Sequence, residues 1–441
     1  MKFFAKSGLS KLALAMAFIG SSAAFAADWV QVMPIETGYN LIKKSGSGSE
    51  KYAQFGETLI IQGGESFNDE ANKADSINSL PVRPGEKLYL ITSKDPAILK
   101  ATFAGARTVY RDMGFIVLLA GETASMNLFS KSSDFTKVEL LPENQIILTA
   151  PVSSLKTRKR TDDVVARFVN KLDMPSFMSN LSALVDFKTR YSYVEQSQQA
   201  IDHCQKIFDS MGYKTSQAPF SIGGKKTNNL IAEIKGKDEA KYGQVLVVGH
   251  LDSISPSPKT NAPGADDNGS GSAGVIALAK LLKESGLEPA ATIKFVLFMG
   301  EEQGLYGSKA YVRELGAEEK KKIKAVLNLD MIGFDAVSPL SIMLESSSFN
   351  RPMVENMQEL AMKYADFTVQ VSYKAWGSDH APFLSQNVPA VLTIQSEFAS
   401  NPNYHQVSDL MDIINKDLCQ NILRLNAAAM YLYGIAPESA R

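Results

Sequence analysis

Cysteine is almost missing, since Cys204 and Cys419 are the only two in 441 residues. That excludes a scaffold built on disulfides and a metal site built on thiolates. An exported chain could form a single bridge, but both cysteines fall in helix-like segments far apart in sequence, and nothing in their spacing pairs them. An excess of charge of one sign is also missing. A formal net charge of -1 leaves no surplus of Lys and Arg to neutralise phosphates, so nucleic acid is not expected as a partner. Beyond the first residues, no apolar run reaches the roughly 20 positions that a bilayer span needs, so no stable membrane insertion is expected. Repeats, low-complexity tracts and a P-loop are absent. The segment Ser270-Gly271-Ser272-Ala273-Gly274 fails as a nucleophile elbow because it opens with Ser where Gly is required.

What is present is the composition of a globular protein, 45% hydrophobic and 21% charged, long enough for two or three units with a sizeable core. Lys2, Lys6 and Lys11 precede the short apolar run Leu12 to Ile19, and Ala24-Phe25-Ala26 follows it. This is the pattern of a secretory signal over residues 1–26, which predicts a secreted or periplasmic mature chain. From 27 to 152, β-like runs such as Thr58 to Gln62, Lys87 to Thr92, Phe115 to Ala120 and Gln145 to Thr149 predict a small β-rich domain without histidine or cysteine. Residues 153–161 are polar and basic, as an exposed linker would be. From 162 to 436, helical segments alternate with apolar β-branched runs, which predicts an α/β domain on a mostly parallel sheet. Its strand candidates are Val245 to Val248, Ile293 to Met299, Ala325 to Leu329 and Ala390 to Ile394, and a helix over Ser272 to Lys283 stops at Gly286.

Potential metal ligands follow three of these strands directly: Gly249-His250-Leu251-Asp252, Gly300-Glu301-Glu302 and Asp330. Ligands bind at the carboxyl ends of strands in open α/β sheets, so the groups can converge. The pair Asp266-Asp267 opens the helix after the first of the strands, and Tyr404-His405 follows the fourth. Adjacent carboxylates in a Gly-rich loop are costly unless a cation neutralises them. Three of the four histidines, His250, His380 and His405, lie in or near these segments. Imidazole and carboxylate donors without thiolate suit catalytic zinc. One arrangement uses every cluster: His250 and Asp330 on one ion, Glu302 and His405 on a second, and Asp267 bridging both. Two Zn²⁺ then meet three carboxylates and a shared hydroxide, which is formally neutral. Glu301, beside a ligand but not itself one, is placed to act as general base. Asp252, two residues after His250, is spaced to accept the other imidazole N–H.

The set resembles the dinuclear-zinc bacterial leucyl aminopeptidases, exported zinc metallopeptidases with a three-layer α/β/α domain. The resemblance runs in order through 249–253, 262–268, 300–308, 329–331, 378–380 and His405, over about the last two-thirds of the chain. It implies His250, Asp267, Glu302, Asp330 and His405 as metal ligands, Glu301 as the base and Asp252 as a supporting group. It also implies that Ser378 lies near the metals, and that His380 is a supporting residue. Peptides would be the substrates, with an apolar pocket for the amino-terminal side chain drawn from Met331, Ile394, Phe398 and Tyr404. Some members carry a cysteine pair just before Ser-Asp-His, where this chain has Tyr373 to Gly377, so that loop is unbridged. The amino-terminal domain is more loosely similar to propeptides that act as folding aid or inhibitor, with a cut near Lys156 to Arg160. The rival readings are a carboxypeptidase or single-metal glutaminyl cyclase on the same architecture, or a binding protein without catalysis.

Overall fold

The computed structural model describes residues 28–437 apart from 46–47, 75, 94, 113, 133–135, 154–162, 336–337, 376 and 397. The predicted signal segment and nearly all of the predicted linker lie outside the described residues.

The runs predicted as buried strands form the middle of one sheet: Gln244–His250, Thr292–Phe298, Ile323–Leu329 and Ala390–Gln395. The order is 292–298, 244–250, 323–329, 390–395, and every neighbouring pair in it is parallel. Strands Lys214–Ile222 and Lys225–Ile234 extend it antiparallel on one side. On the other side Ser341–Glu345 pairs antiparallel with 390–395 and parallel with Thr368–Ser372. The strand residues alternate between two cores, as the two-residue repeat of a strand requires. Val245 and Val247 join the core packed by helices Met174–Val185, Glu195–Ser210, Gly271–Ser285 and Lys416–Met430. Leu246 and Val248 join the opposite core, with Tyr311, Val312, Phe383 and Leu384 of the helices Tyr306–Glu314 and His380–Leu384. This is a three-layer α/β/α domain on a mixed, centrally parallel sheet. The helix predicted at 272–283 spans 271–285 and ends at Gly286, whose φ of 70° is the left-handed cap that glycine adopts without a Cβ clash.

The amino-terminal region has the predicted strands, at Thr58–Gly63, Lys87–Ser93, Phe115–Ala120 and Gln145–Leu148, and a separate four-stranded antiparallel sheet. Its other strands do not stand apart from the α/β/α domain. Strand 145–148 pairs with 368–372, Val152–Ser153 pairs with the same strand, and the ladder continues through 51–55, 58–63, 29–34 and 78–81. Thr149 fastens the junction: its N–H donates to the Val371 carbonyl at 2.8 Å and its hydroxyl accepts from the Val371 N–H at 3.0 Å. The boundary predicted near residue 153 is therefore crossed by a continuous sheet. Cys204 and Cys419 are both buried and both free. Among the described residues no helix is long and apolar enough to cross a membrane.

Candidate active site

The parallel strands deliver their side chains to one edge of the sheet. His250 is the last residue of its strand, Asp330 follows the end of 323–329, and Glu301-Glu302 follow 292–298 after a turn at Gly300 with φ 75°. Asp267 sits just before the helix that starts at Gly271. A Cβ on Gly271 would stand 2.3 Å from both the Leu329 carbonyl oxygen and Asn268 Oδ1, so only glycine lets that helix approach the end of the Asp330 strand. Asn268 locks the approach. Its Nδ2 donates to the Leu329 carbonyl at 2.9 Å, and its Oδ1 accepts from the N–H groups of Gly271 at 2.9 Å and Met331 at 3.2 Å. Asp330 is thereby held from both flanks by the residue next to Asp267. Met331 and His405 both have positive φ, 50° and 56°, a conformation costing non-glycine residues of order 1 kcal/mol that collects at functional sites.

Two groups of three potential ligands result, His250 with Asp267 and Asp330, and Asp267 with Glu302 and His405, each with donor atoms within 4.8 Å of one another. Asp267 divides its carboxylate between them. Its Oδ1 lies 3.3 Å from His250 Nε2, and its Oδ2 lies 3.2 Å from His405 Nε2. Asp330 Oδ1 is 3.3 Å from His250 Nε2, and Glu302 Oε2 is 3.0 Å from His405 Nε2. Two ligands each about 2.1 Å from one zinc ion at the tetrahedral angle stand about 3.4 Å apart, so these spacings suit donors that share an ion.

Charge gives the same answer. Asp252, Asp266, Asp267, Glu301, Glu302, Asp330, Asp379 and Asp409 are all buried here. Burial opposes protonation of His250, yet the carboxylates of Asp330 and Glu301 raise its pKa well above the ordinary value. His405 is raised in the same way against burial, by Glu302 and Asp267. Burial and the neighbouring Asp267 push Glu302 up to about 7, whereas Asp267, flanked by both imidazoles, stays low despite its own burial. Protons on the imidazoles and on Glu302 supply positive charge that the cluster lacks, and divalent cations meet that need with the geometry above. The residues present fit a metal.

The supporting residues fall close by. Ser378 Oγ donates to Asp330 Oδ2 at 2.6 Å and accepts from Asn328 Nδ2 at 2.8 Å. His380 is fully buried with Nε2 3.2 Å from Glu345 Oε1, and belongs to neither ligand group. Asp252 differs from expectation. Its Oδ1 is 3.6 Å from His250 Nδ1, too far for a hydrogen bond, and Nδ1 lies instead 3.1 Å from the Asp252 main-chain oxygen. The Asp252 carboxylate accepts from the N–H groups of Glu301 at 3.2 Å and Glu302 at 3.3 Å, so it aims the acidic turn while its carbonyl aims the imidazole. Met331, Ile394, Phe398 and Tyr404 come together, Tyr404 stacked on His405 with ring centroids 3.8 Å apart. They share their cluster with Val30, Phe55, Phe115 and Val117 of the amino-terminal region, and a Cβ on Gly114 would meet the Phe398 ring at 3.4 Å.

Sequence reasoning gave no role to Arg190, Asn268 or Asp409. Arg190 is 0% exposed and donates to the carbonyls of Leu251 at 2.8 Å, Leu184 at 3.0 Å, Pro263 at 2.6 Å and Gly264 at 2.8 Å. It ties the segment after His250 to the segment before Asp267.

Residues 229–430 match the model described as Peptidase family M28. A protein named "Probable leucine aminopeptidase" from Trichophyton verrucosum (strain HKI 0517) is 31% identical over 292 residues, covering 63% of this chain and 73% of that one. The chain belongs to peptidase family M28. Among solved structures, the Legionella pneumophila LapA aminopeptidase matches with TM-score 0.56 at 21% identity, over 79% of this chain and 98% of that one. BSAP, a zinc aminopeptidase from Bacillus subtilis, matches with TM-score 0.54 at 16% identity, over 60% and 96%. These two likenesses concern the fold, which is that of the M28 peptidases. As a member the chain is a metallo-aminopeptidase, a hydrolase of peptide bonds, and its M28 match spans the strand ends described above.

Proposed function

We propose that this M28 peptidase is an exported dizinc aminopeptidase that releases apolar, leucine-like residues from the amino ends of peptides. The observation that carries the reading is the divided carboxylate of Asp267, one oxygen facing His250 and Asp330, the other facing His405 and Glu302. His250, Asp330 and Asp267 would hold one ion, and Glu302, His405 and Asp267 the second. When bound, the two zinc ions supply Lewis-acid polarisation of the scissile carbonyl and lower the pKa of the attacking water. Glu301 accepts the proton from that water and returns it to the departing amine, with its backbone fixed by Asp252. Ser378 holds Asp330 in orientation through its 2.6 Å hydrogen bond. Met331, Ile394, Phe398 and Tyr404 supply the apolar wall beside His405, which suits a leucine side chain and agrees with the name of the fungal relative. Export rests on the amino-terminal signal pattern.

The test pairs metal analysis with turnover of leucine p-nitroanilide. Glu301→Gln is expected to keep close to two zinc ions per chain while hydrolysis falls by about 10²- to 10⁴-fold. Unchanged turnover in that variant removes Glu301 as the base. A single bound ion with cyclisation of amino-terminal glutamine would favour the cyclase reading, and cleavage of amino-blocked peptides the carboxypeptidase.

A further inference from the structure

Asp409 is 2% exposed and lies four residues after His405. Its side chain belongs to neither ligand group and is spent on peptide N–H groups. Oδ1 accepts from the Asp266 N–H at 2.8 Å and Oδ2 from the Asp267 N–H at 2.9 Å, while its main-chain oxygen accepts from the Ala265 N–H at 3.0 Å. Three consecutive N–H groups of the Asp267 segment thus end on one residue of the His405 segment. The geometry points to Asp409 as a positioning residue that sets the separation between Asp267 and His405. This rests on the reading that these two side chains hold zinc.

The chemistry of the acceptor explains the choice of side chain. A carboxylate offers one oxygen to each of two adjacent N–H groups, and such charge-assisted bonds are shorter and stronger than neutral ones. Asparagine offers one acceptor and turns an NH₂ toward the second N–H, leaving two donors face to face. A further buried carboxylate beside Asp266 and Asp267 is unfavourable in a region already rich in negative charge, and it is tolerable only where its hydrogen bonds repay the desolvation. Arg190 holds the Gly264 carbonyl at 2.8 Å, so the same segment is gripped by a guanidinium through a carbonyl and by the Asp409 side chain through two N–H groups. Without Asp409, Asp267 and His405 keep their chemistry but lose the fixed 3.2 Å relation between Oδ2 and Nε2.

The experiment measures zinc retention during competition with a graded chelator, alongside the melting temperature of the metal-stripped protein and separate kcat and KM values. Asp409→Asn is expected to weaken zinc retention by roughly 10- to 100-fold, the range for residues that orient ligands. Its kcat should fall more than KM changes, whereas Tyr213→Phe, which loses one buried hydrogen bond, to the Ala279 carbonyl, away from the site, should lower the melting temperature of the stripped protein without changing zinc retention. Retention is read per folded molecule by circular dichroism, and Asp409→Ser, with one acceptor in a smaller side chain, takes its place if the Asn variant precipitates. Parental zinc retention in a folded Asp409 variant overturns the positioning role. Parental retention in Asp267→Ala overturns instead the ligand reading on which it rests, so the two failures are separable.

Discussion

Replacing Arg190 by Met puts the largest single demand on the scaffold of the site. The side chain is wholly buried and its guanidinium serves four carbonyls, those of Leu251, Leu184, Pro263 and Gly264, at 2.6 to 3.0 Å. Met fills much of the same volume but leaves all four without this donor. At about 1 kcal/mol for each buried hydrogen bond removed, the loss is about 4 kcal/mol, although the Gly264 carbonyl keeps the Gly269 N–H at 2.9 Å. For a domain of about 275 residues, whose unfolding entropy is about 0.6 kcal/mol/K, that lowers Tm by about 7 °C. Differential scanning calorimetry on chelator-treated protein separates the effect from metal binding. Arg190→Lys divides the causes, because an ammonium keeps the charge but cannot match a planar fork, and should lose about half as much. A Met variant melting within about 3 °C of the parent would refute the premise that these four bonds hold the site. A Lys variant equal to the parent would show that the charge matters and the fork does not.

Two further outcomes follow from other parts of the molecule. Glu239 accepts from the Thr292 hydroxyl at 2.6 Å and from Gln244 at 2.9 Å, with Lys235 and Lys322 near, and against a burial penalty these hold its carboxyl down at about 2. A depressed carboxyl stabilises above its unfolded value of 4.5 and loses that contribution as pH falls toward 2, so Glu239→Gln should cost roughly 1 kcal/mol after solvent screening at pH 6 and progressively less below pH 4 in thermal melts; a pH-independent gap counts against it. Because Met331, Ile394, Phe398 and Tyr404, proposed as the apolar wall, share a core with the amino-terminal region, tryptic cutting within 156–160 should raise leucine p-nitroanilide hydrolysis only once the released region is separated by gel filtration. Full activity of the uncut chain would refute that coverage.

The legible part of this protein was the part whose signal is local. Strands 244–250, 292–298, 323–329 and 390–395 read as near-continuous apolar runs because both faces of a central parallel sheet are buried. The clustered ligands read clearly because acids placed side by side in Gly-rich turns need a cation. Among the described residues of the amino-terminal region the helices Glu65–Ala71, Pro96–Lys100 and Glu122–Phe129 are too short to show a helical period, and Ile35–Ser45 is interrupted by Gly and Asn that mimic loop composition.

What stayed hidden was whatever acts through the backbone of a distant segment. Asp409 grips N–H groups 143 and 142 positions away, and Arg190 grips carbonyls up to 74 positions away; any residue type can present those partners, so no spacing announces them. Asp252 shows the same limit at short range. Two residues from a histidine, its carboxylate and its carbonyl are both within reach of the imidazole, and only the fold decides that the carbonyl takes the ring while the carboxylate turns to Glu301 and Glu302. The sheet that runs from 368–372 into 145–148 belongs to this class as well, since an edge strand states no preference for the strand that completes it. Candidate ligands of an M28 centre can thus be read from side chains alone, but the frame that makes them converge is written in main-chain groups that every residue shares.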